Sequence, residues 1–205
     1  MSSNKYSRIS PDLLQTIQFN AGVLASDFNI ETGEISGIIG ATSSGINVTM
    51  TPELVDFGEG IDNCPRATKD LKRITGWECK ISGTFVGIDP SLAGKLLGGS
   101  STSSDALPQD VFERLIYSIV PKYDIDSSAF DNIWWIGDMD KSVGEGVEPY
   151  IAIKMMNAFS TGGFQIQTAD KDKGQFSFEF TAHSTLSDPY TVPCHIYMLG
   201  SVAGG

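Results

Sequence analysis

Chemistry-bearing residues are few in this 205-residue chain. Two histidines occur, His183 and His195, and no GxSxG elbow accompanies them, so a Ser-His-Asp hydrolase has no anchor. Cys194 stands beside His195, the pairing of a thiol nucleophile with its base. Neighbours on a strand point to opposite faces, however, and cannot bond each other. Cys64, Cys79 and Cys194 are odd in number and widely spaced, which fits free thiols in a reducing compartment rather than a disulfide framework. No closely spaced Cys and His set offers zinc ligands. The run Asp170-Lys171-Asp172-Lys173-Gly174 has the look of a calcium loop, but an EF-hand begun at Asp170 needs an oxygen ligand at Gly174, a glycine at Gln175 and a glutamate at Thr181. Gly58-x-Gly60 and the glycines at 94, 98 and 99 lack phosphate-loop spacing. Asn47-Val48-Thr49 is a glycosylation sequon only in a secreted eukaryotic chain and reads here as the polar edge of a strand. Trp134-Trp135 offers rings for stacking on a sugar, although adjacent residues on a strand send one ring into the core. The residues predict no catalytic group, no cofactor and no metal site.

Charge narrows the partners. Fourteen Lys and Arg stand against 25 Asp and Glu, giving a net charge of -11 and a pI near 4.5. A protein that grips nucleic acid presents cations to the phosphates, and this chain repels DNA over most of its surface. Mean hydropathy is -0.05 with 40% hydrophobic residues, the balance of a globular protein with a sizeable core. No apolar run reaches the roughly 18 residues of a spanning helix. MSSNKYSRISPDLLQ has no apolar stretch after its positive charges and does not read as a signal peptide, so the expected site of synthesis is the cytoplasm.

The pattern that positions everything else runs from Gly162 to Leu186. Phe164, Ile166 and Thr168 alternate with Gln165 and Gln167; Phe176, Phe178 and Phe180 alternate with Ser177, Glu179 and Thr181. Period two predicts a hairpin with one dry and one wet face, and the charged run closed by Gly174 predicts a tight, solvated turn. A lone hairpin is marginal in water, so the dry face must lie on further strands or a helix.

Elsewhere, residues 1–12 read as an arm, 13–199 as one domain and 200–205 as a loose end. A first strand is expected within 13–24 and another near 35–39. Ile46, Val48 and Met50 alternate with Asn47, Thr49 and Thr51 up to Pro52, where the strand must end, bulge or lie on an edge. Residues 57–76 read as a long charged loop of the kind an outside partner uses. After it Trp77, Cys79, Ile81 and Phe85 fall on one side and Glu78, Lys80, Ser82 and Thr84 on the other, with Gly83 marking a bulge or a close backbone approach. DPSLAGKLLGG predicts a helix over 89–98, with Asp89 as N-cap, Pro90 in the first turn, Leu92 and Leu96 one turn apart and Gly98 in the left-handed position. GSSTSSDA reads as a linker. Phe112, Leu115, Ile116 and Ile119 fit a helix, yet RLIYSIVP fits a strand equally well. A helical turn capped by Asp126 or Ser127 leads into a strand at 133–136; VGEGVE is a turn, PYIAIKMMNAF a buried strand, and TVPCHIYMLG the last strand. Eight or nine short strands with one or two helices make the fold mainly β, a sandwich or barrel with a helix packed on it.

Taken in order, GINVTMTPELVDFGEGIDNCP, GWECKISGTFVGID, DNIWWIGDMD, AIKMMNAFSTGGFQIQTADKDKGQFSFEFTAH and DPYTVPCHIYML resemble the major tail tube protein of long-tailed, non-contractile bacteriophages and prophages. The order of the pieces from about Phe19 to Leu199 carries the match, most strongly in the STGGFQ to EFTAH hairpin. The resemblance implies a phage tail tube-like β-sandwich or barrel with a flanking helix and an extended inter-subunit loop. It implies homohexameric rings stacked into a hollow tube, through which DNA passes without specific binding, in the virion tail after synthesis in the bacterial host cytoplasm. Tape-measure and tail terminator proteins are the implied neighbours, and no membrane. On this resemblance Gln165, Gln167, Ser177, Glu179 and Thr181 are candidates for the lumen. Glu59, Asp62, Arg66, Lys69, Asp70, Lys72 and Arg73 are candidates for contact with an adjoining ring, and Leu92, Leu96 and Leu97 for packing between subunits. A glycan-binding β-sandwich of adhesion type is the alternative from another class, and the tube protein of a contractile tail or secretion machine the alternative from a related one.

Overall fold

The computed structural model describes residues 17–18, 20–65, 68–106, 115–139 and 148–199. The expected arms at 1–12 and 200–205, Arg66, Phe112 and most of the VGEGVE turn lie outside them. Strands β1 (Val23–Phe28), β2 (Ile35–Ile38), β3 (Thr42–Asp56), β4 (Lys72–Phe85), β7 (Asp131–Asp138), β8 (Tyr150–Ser160), β9 (Gln165–Gln167), β10 (Gln175–Thr181) and β11 (Cys194–Met198) form one antiparallel sheet. Its order is β2-β1-β7-β8-β10-β4-β3, with β11 also on β8 and β9 also on β10. The sheet folds over so that its two halves face each other across one core. Leu24, Ile133, Trp135, Ile153, Met155 and Cys194 meet Cys79, Ile81, Phe85, Phe178 and Phe180 there. The fold is mainly β and sandwich-like, with one short α-helix among the described residues.

β8 serves both halves. Its early residues pair with β7 and β11, and its last two, Phe159 and Ser160, pair with β10. Between them Asn157 takes a left-handed φ of 47°, which turns the strand from one half into the other.

The helix α1 (Pro90–Leu96) forms as its sequence requires. Asp89 caps it, its Oδ1 accepting from the Leu92 amide at 2.7 Å, Pro90 opens it, and Gly98 leaves it at φ 75°. Leu92 and Leu96 are buried in the core, and the buried Ser160 hydroxyl donates to the Leu96 carbonyl at 2.7 Å. These leucines therefore fasten the helix to its own chain and are spent before any neighbour arrives; Leu97 is half-buried.

Several expectations need correction. Among the described residues the first strand is Val23–Phe28, which overlaps the end of the 13–24 stretch and runs beyond it; residues 13–16 and 19 lie outside the described residues. Pro52, by contrast, stands as expected, on the edge strand of the sheet and just before a register break between Glu53 and Leu54, after which β3 runs on to Asp56. β4 correspondingly begins at Lys72, so the presumed 57–76 loop shrinks to 57–71 and ends in a 3-10 turn over Lys69–Leu71. GSSTSSDA is no linker. Ser100–Ala106 is strand β5, paired residue for residue with β6 (Leu115–Pro121), which resolves the helix-or-strand alternative in favour of strand. The small serines take the extended form because the β-branched and aromatic residues of β6 lie opposite them.

Candidate functional site

The wet face foreseen on one hairpin is part of a larger wall. β10 pairs with β4, and β4 with β3, so the polar alternations of three strands come into register. Opposite residues in an antiparallel pair share a face. One row is therefore Gln165, Ser177, Thr84 and Ser43; the next Glu179, Ser82 and Asn47; the next Thr181, Lys80 and Thr49; then Glu78 and Thr51; the last Gly76 and Glu53. Gln167 lies opposite Gln175 at one end. The reverse side of the same strands carries Phe178, Phe180, Ile81 and Cys79, all buried, with Ile46, Val48 and Met50 packed against them.

Two glycines make the wall possible. A Cβ on Gly83 would sit 2.9 Å from the Phe178 ring, and β3 bulges opposite it at Ser44 and Gly45, both at positive φ. A Cβ on Gly162 would come within 2.9 Å of the Glu179 amide; both the Thr161 and Gly162 amides donate to the Glu179 carbonyl, at 2.9 and 3.2 Å. This bend joins β8 to β9. The following turn spans seven residues rather than being tight, and Lys171, at φ 59°, takes the left-handed position expected of Gly174.

The wall carries few charges, and most of them are negative. Lys80 Nζ lies 2.6 Å from Glu78 Oε1, and that bond, reinforced by the Glu179 field, raises the lysine above its ordinary range and keeps it charged. Glu179 Oε1 accepts from Thr161 Oγ1 at 3.0 Å, and the Thr161 and Thr181 hydroxyls are 3.0 Å apart. Three carboxylates, Glu53, Glu78 and Glu179, against one ammonium leave two negative charges on a surface otherwise built of hydroxyls and amides. Such a surface holds water and offers a passing phosphate no uncompensated cation.

The sequence placed Gln165, Gln167, Ser177, Glu179 and Thr181 on one face, and the structure brings them together. It missed that Asn47, Thr49, Lys80, Ser82 and Thr84 extend the same face. Their alternation was legible, but the pairing that joins the strands is not local. On the first arm the apolar side is less covered than expected, with Phe164 and Ile166 exposed.

The long hairpin β3–β4 presents Glu59, Asp62, Lys69, Asp70, Lys72 and Arg73, all exposed. Lys72 and Arg73 belong to strand β4 rather than to a loop. The charges share this hairpin with Leu54, Val55, Phe57, Ile61 and Ile74, also exposed, which the reading of a charged loop passed over.

Other candidates dissolve. Both tryptophans are buried, not one. Trp135 donates from Nε1 to the Ala21 carbonyl at 3.1 Å, and Trp134 packs edge-on to Phe28 with Lys154 Nζ 5.2 Å from its ring centre. Cys194 points into the core and His195 outward. Burial pushes the Cys194 thiol up to about 12 and raises that of Cys79, so neither is a nucleophile at neutral pH. Among the described residues no group of three or more His, Cys, Asp or Glu side chains is placed to hold a metal ion, and no helix is long and apolar enough to cross a membrane.

Compared with known proteins, the chain matches no family model and no curated sequence.

Proposed function

We propose that this protein is a structural subunit that assembles with copies of itself into hexameric rings stacked as a hollow phage tail tube. DNA passes along its bore without specific binding. The observation that carries the reading is the wall. One side of a multi-stranded sheet is polar, poor in cations and free of large hydrophobes, while β3 at its margin is fifteen residues long and last in the sheet order. Closing such sheets from several copies into one barrel leaves an aqueous channel rather than a filled core, and uses the edge for pairing instead of leaving it as an aggregation risk. On this reading the subunit is made in the host cytoplasm, resides in the virion tail, and meets tape-measure and terminator proteins at the ends of the tube.

The reading is tested by negative-stain electron microscopy of concentrated protein at neutral pH, with light scattering on the same sample. Rings or hollow tubes of uniform diameter are the expected result; a compact species that stays monomeric even when seeded with tail-tip complexes overturns it. A sheath-enclosed tube of a contractile machine would give similar rings. A glycan-binding module would give none, and with Trp134 and Trp135 buried it has lost the platform that suggested it.

A further inference from the structure

Three cysteines are free in this chain, and two of them share one corner of the core. Cys79 lies on β4 and Cys194 on β11, strands of the two facing halves. A short run of backbone hydrogen bonds brings them there. The Cys79 carbonyl accepts from the Ala182 amide at 2.9 Å; the next residue, His183, donates its amide to the Met156 carbonyl at 3.1 Å; the Met156 amide donates to the carbonyl of Pro193, the neighbour of Cys194, at 2.8 Å. Both side chains are buried, and their thiols hydrogen-bond to each other across the interlayer gap. Cys194 Sγ also lies 3.2 Å from Sδ of Met155, which is buried with them. A single buried cysteine is an ordinary small hydrophobe. Two thiols that reach each other from opposite layers, with no third ligand beside them for a metal, have a further chemistry open to them, which is bonding to each other.

We infer that Cys79 and Cys194 form a latent disulfide, closed by hydrogen peroxide once the chain leaves a reducing compartment, which ties the two halves of the sandwich covalently. Burial raises both thiols, but the hydrogen bond from Cys194 opposes that effect at Cys79, so Cys79 is the thiolate that forms first. It attacks one peroxide oxygen and the O–O bond breaks; the departing hydroxide takes up the proton that Cys79 released, giving water and a sulfenic acid. The Cys194 sulfur then attacks the Cys79 sulfur and displaces hydroxide, which leaves as a second water with the Cys194 proton as the S–S bond forms. Both sulfurs are oxidised, both peroxide oxygens end in water, and no other reactant enters. Peroxide suits the place because it is nearly as small as water and leaves no bulky mixed disulfide in a close-packed core. The bond closes a loop of about 115 residues, long enough to restrict the unfolded chain strongly. The inference is independent of the self-assembly reading, since both thiols belong to one chain.

Peptide mapping of the wild-type protein tests it. One sample is exposed to dilute hydrogen peroxide at pH 8; a second is refolded from urea in a glutathione redox buffer, so that access to the core does not limit the reaction. Both are alkylated in urea and cut with trypsin, which leaves the three cysteines in the separate peptides 9–66, 74–80 and 174–205. The expected product joins 74–80 to 174–205, lighter by two hydrogen atoms than the two peptides together, and runs as a single chain on a non-reducing gel. Oxidation should raise the melting midpoint by about 5–10 °C, reversed by a reductant, and Cys64→Ser should leave both results unchanged. A link through Cys64, a sulfinic acid at Cys79 or Cys194, or both thiols still alkylated in the two samples overturns the pair. A linked chain that melts no higher than the reduced one overturns the tie between the halves.

Discussion

Asn157 and His183 hold each other by their main chains and side chains at once. Asn157 Nδ2 donates to the His183 carbonyl at 3.0 Å, and His183 Nδ1 lies 3.2 Å from the Asn157 carbonyl. The His183 amide donates to the neighbouring Met156 carbonyl, and the Asn157 amide to Asn132 Oδ1. The knot sits where β8 passes from one half of the sheet to the other. It fixes a backbone conformation that asparagine adopts more readily than most residues.

Asn157→Gly should therefore be the mildest change at that site, and Asn157→Val should destabilise the protein by about 2–3 kcal/mol, combining a strained φ with a lost hydrogen bond. Urea denaturation of the three proteins checks the ranking; a valine variant as stable as wild type would remove the bend as a structural constraint.

Ser160→Ala should cost about 1–3 kcal/mol, because it strips the Leu96 carbonyl of its buried donor. Gly98→Ala should cost more than about 1 kcal/mol by a separate route, since its Cβ at φ 75° would lie 2.7 Å from the Phe159 ring. Both are read by thermal melts, and neither should change the far-ultraviolet spectrum.

The thiols give a pH prediction. A group whose folded pKa lies above its unfolded value holds its proton longer in the folded state. Cys194, moved from an ordinary 9.0 to about 12, thus contributes stability that is present below pH 9 and is lost between pH 9 and about 12. Cys79, raised in the same direction by the same burial, adds to the loss. Unfolding followed by fluorescence from pH 8 to 11 should show stability falling, and Cys79→Ala with Cys194→Ala should flatten the fall. In the native protein at pH 8 a thiol reagent should label Cys64 within minutes and the other two only after unfolding.

For the wall, Glu179→Lys with Glu78→Lys converts two net negative charges into two positive ones at unchanged packing. The double variant should retard duplex DNA in a salt-dependent manner in gel shifts at 50 mM salt, where wild type does not. Equal mobility of DNA with both proteins would remove the charge argument for this face.

Much of this architecture could be read from single strands. Asp89, Pro90, Leu92, Leu96 and Gly98 announced the helix because its capping and burial depend on neighbours within one turn. The parity of Cys79, Ile81 and Phe85 against Lys80, Ser82 and Thr84 was legible because strand side chains alternate. What stayed hidden depends on partners far away in the chain. Ser100–Ala106 is a strand only because β6 pairs with it, and Lys72–Ile74 only because Leu54–Asp56 lie opposite. The wall itself, the joining of β10 to β4 across about 100 residues of sequence, leaves no local trace.

The passage of β8 through both halves also has a mechanical meaning. In a sandwich held by side chains alone, a load along the strands is resisted only by interlayer packing. Here a pull applied to β11 on one side and to β4 on the other runs along the continuous backbone of β8, but it reaches β4 only through β10, which β8 holds by two pairs, Phe159 with Thr181 and Ser160 with Phe180. The weak link under tension is then that short junction rather than the longer β8–β11 and β10–β4 ladders, so a stretched subunit would open first between β8 and β10, just beyond the bend at Asn157.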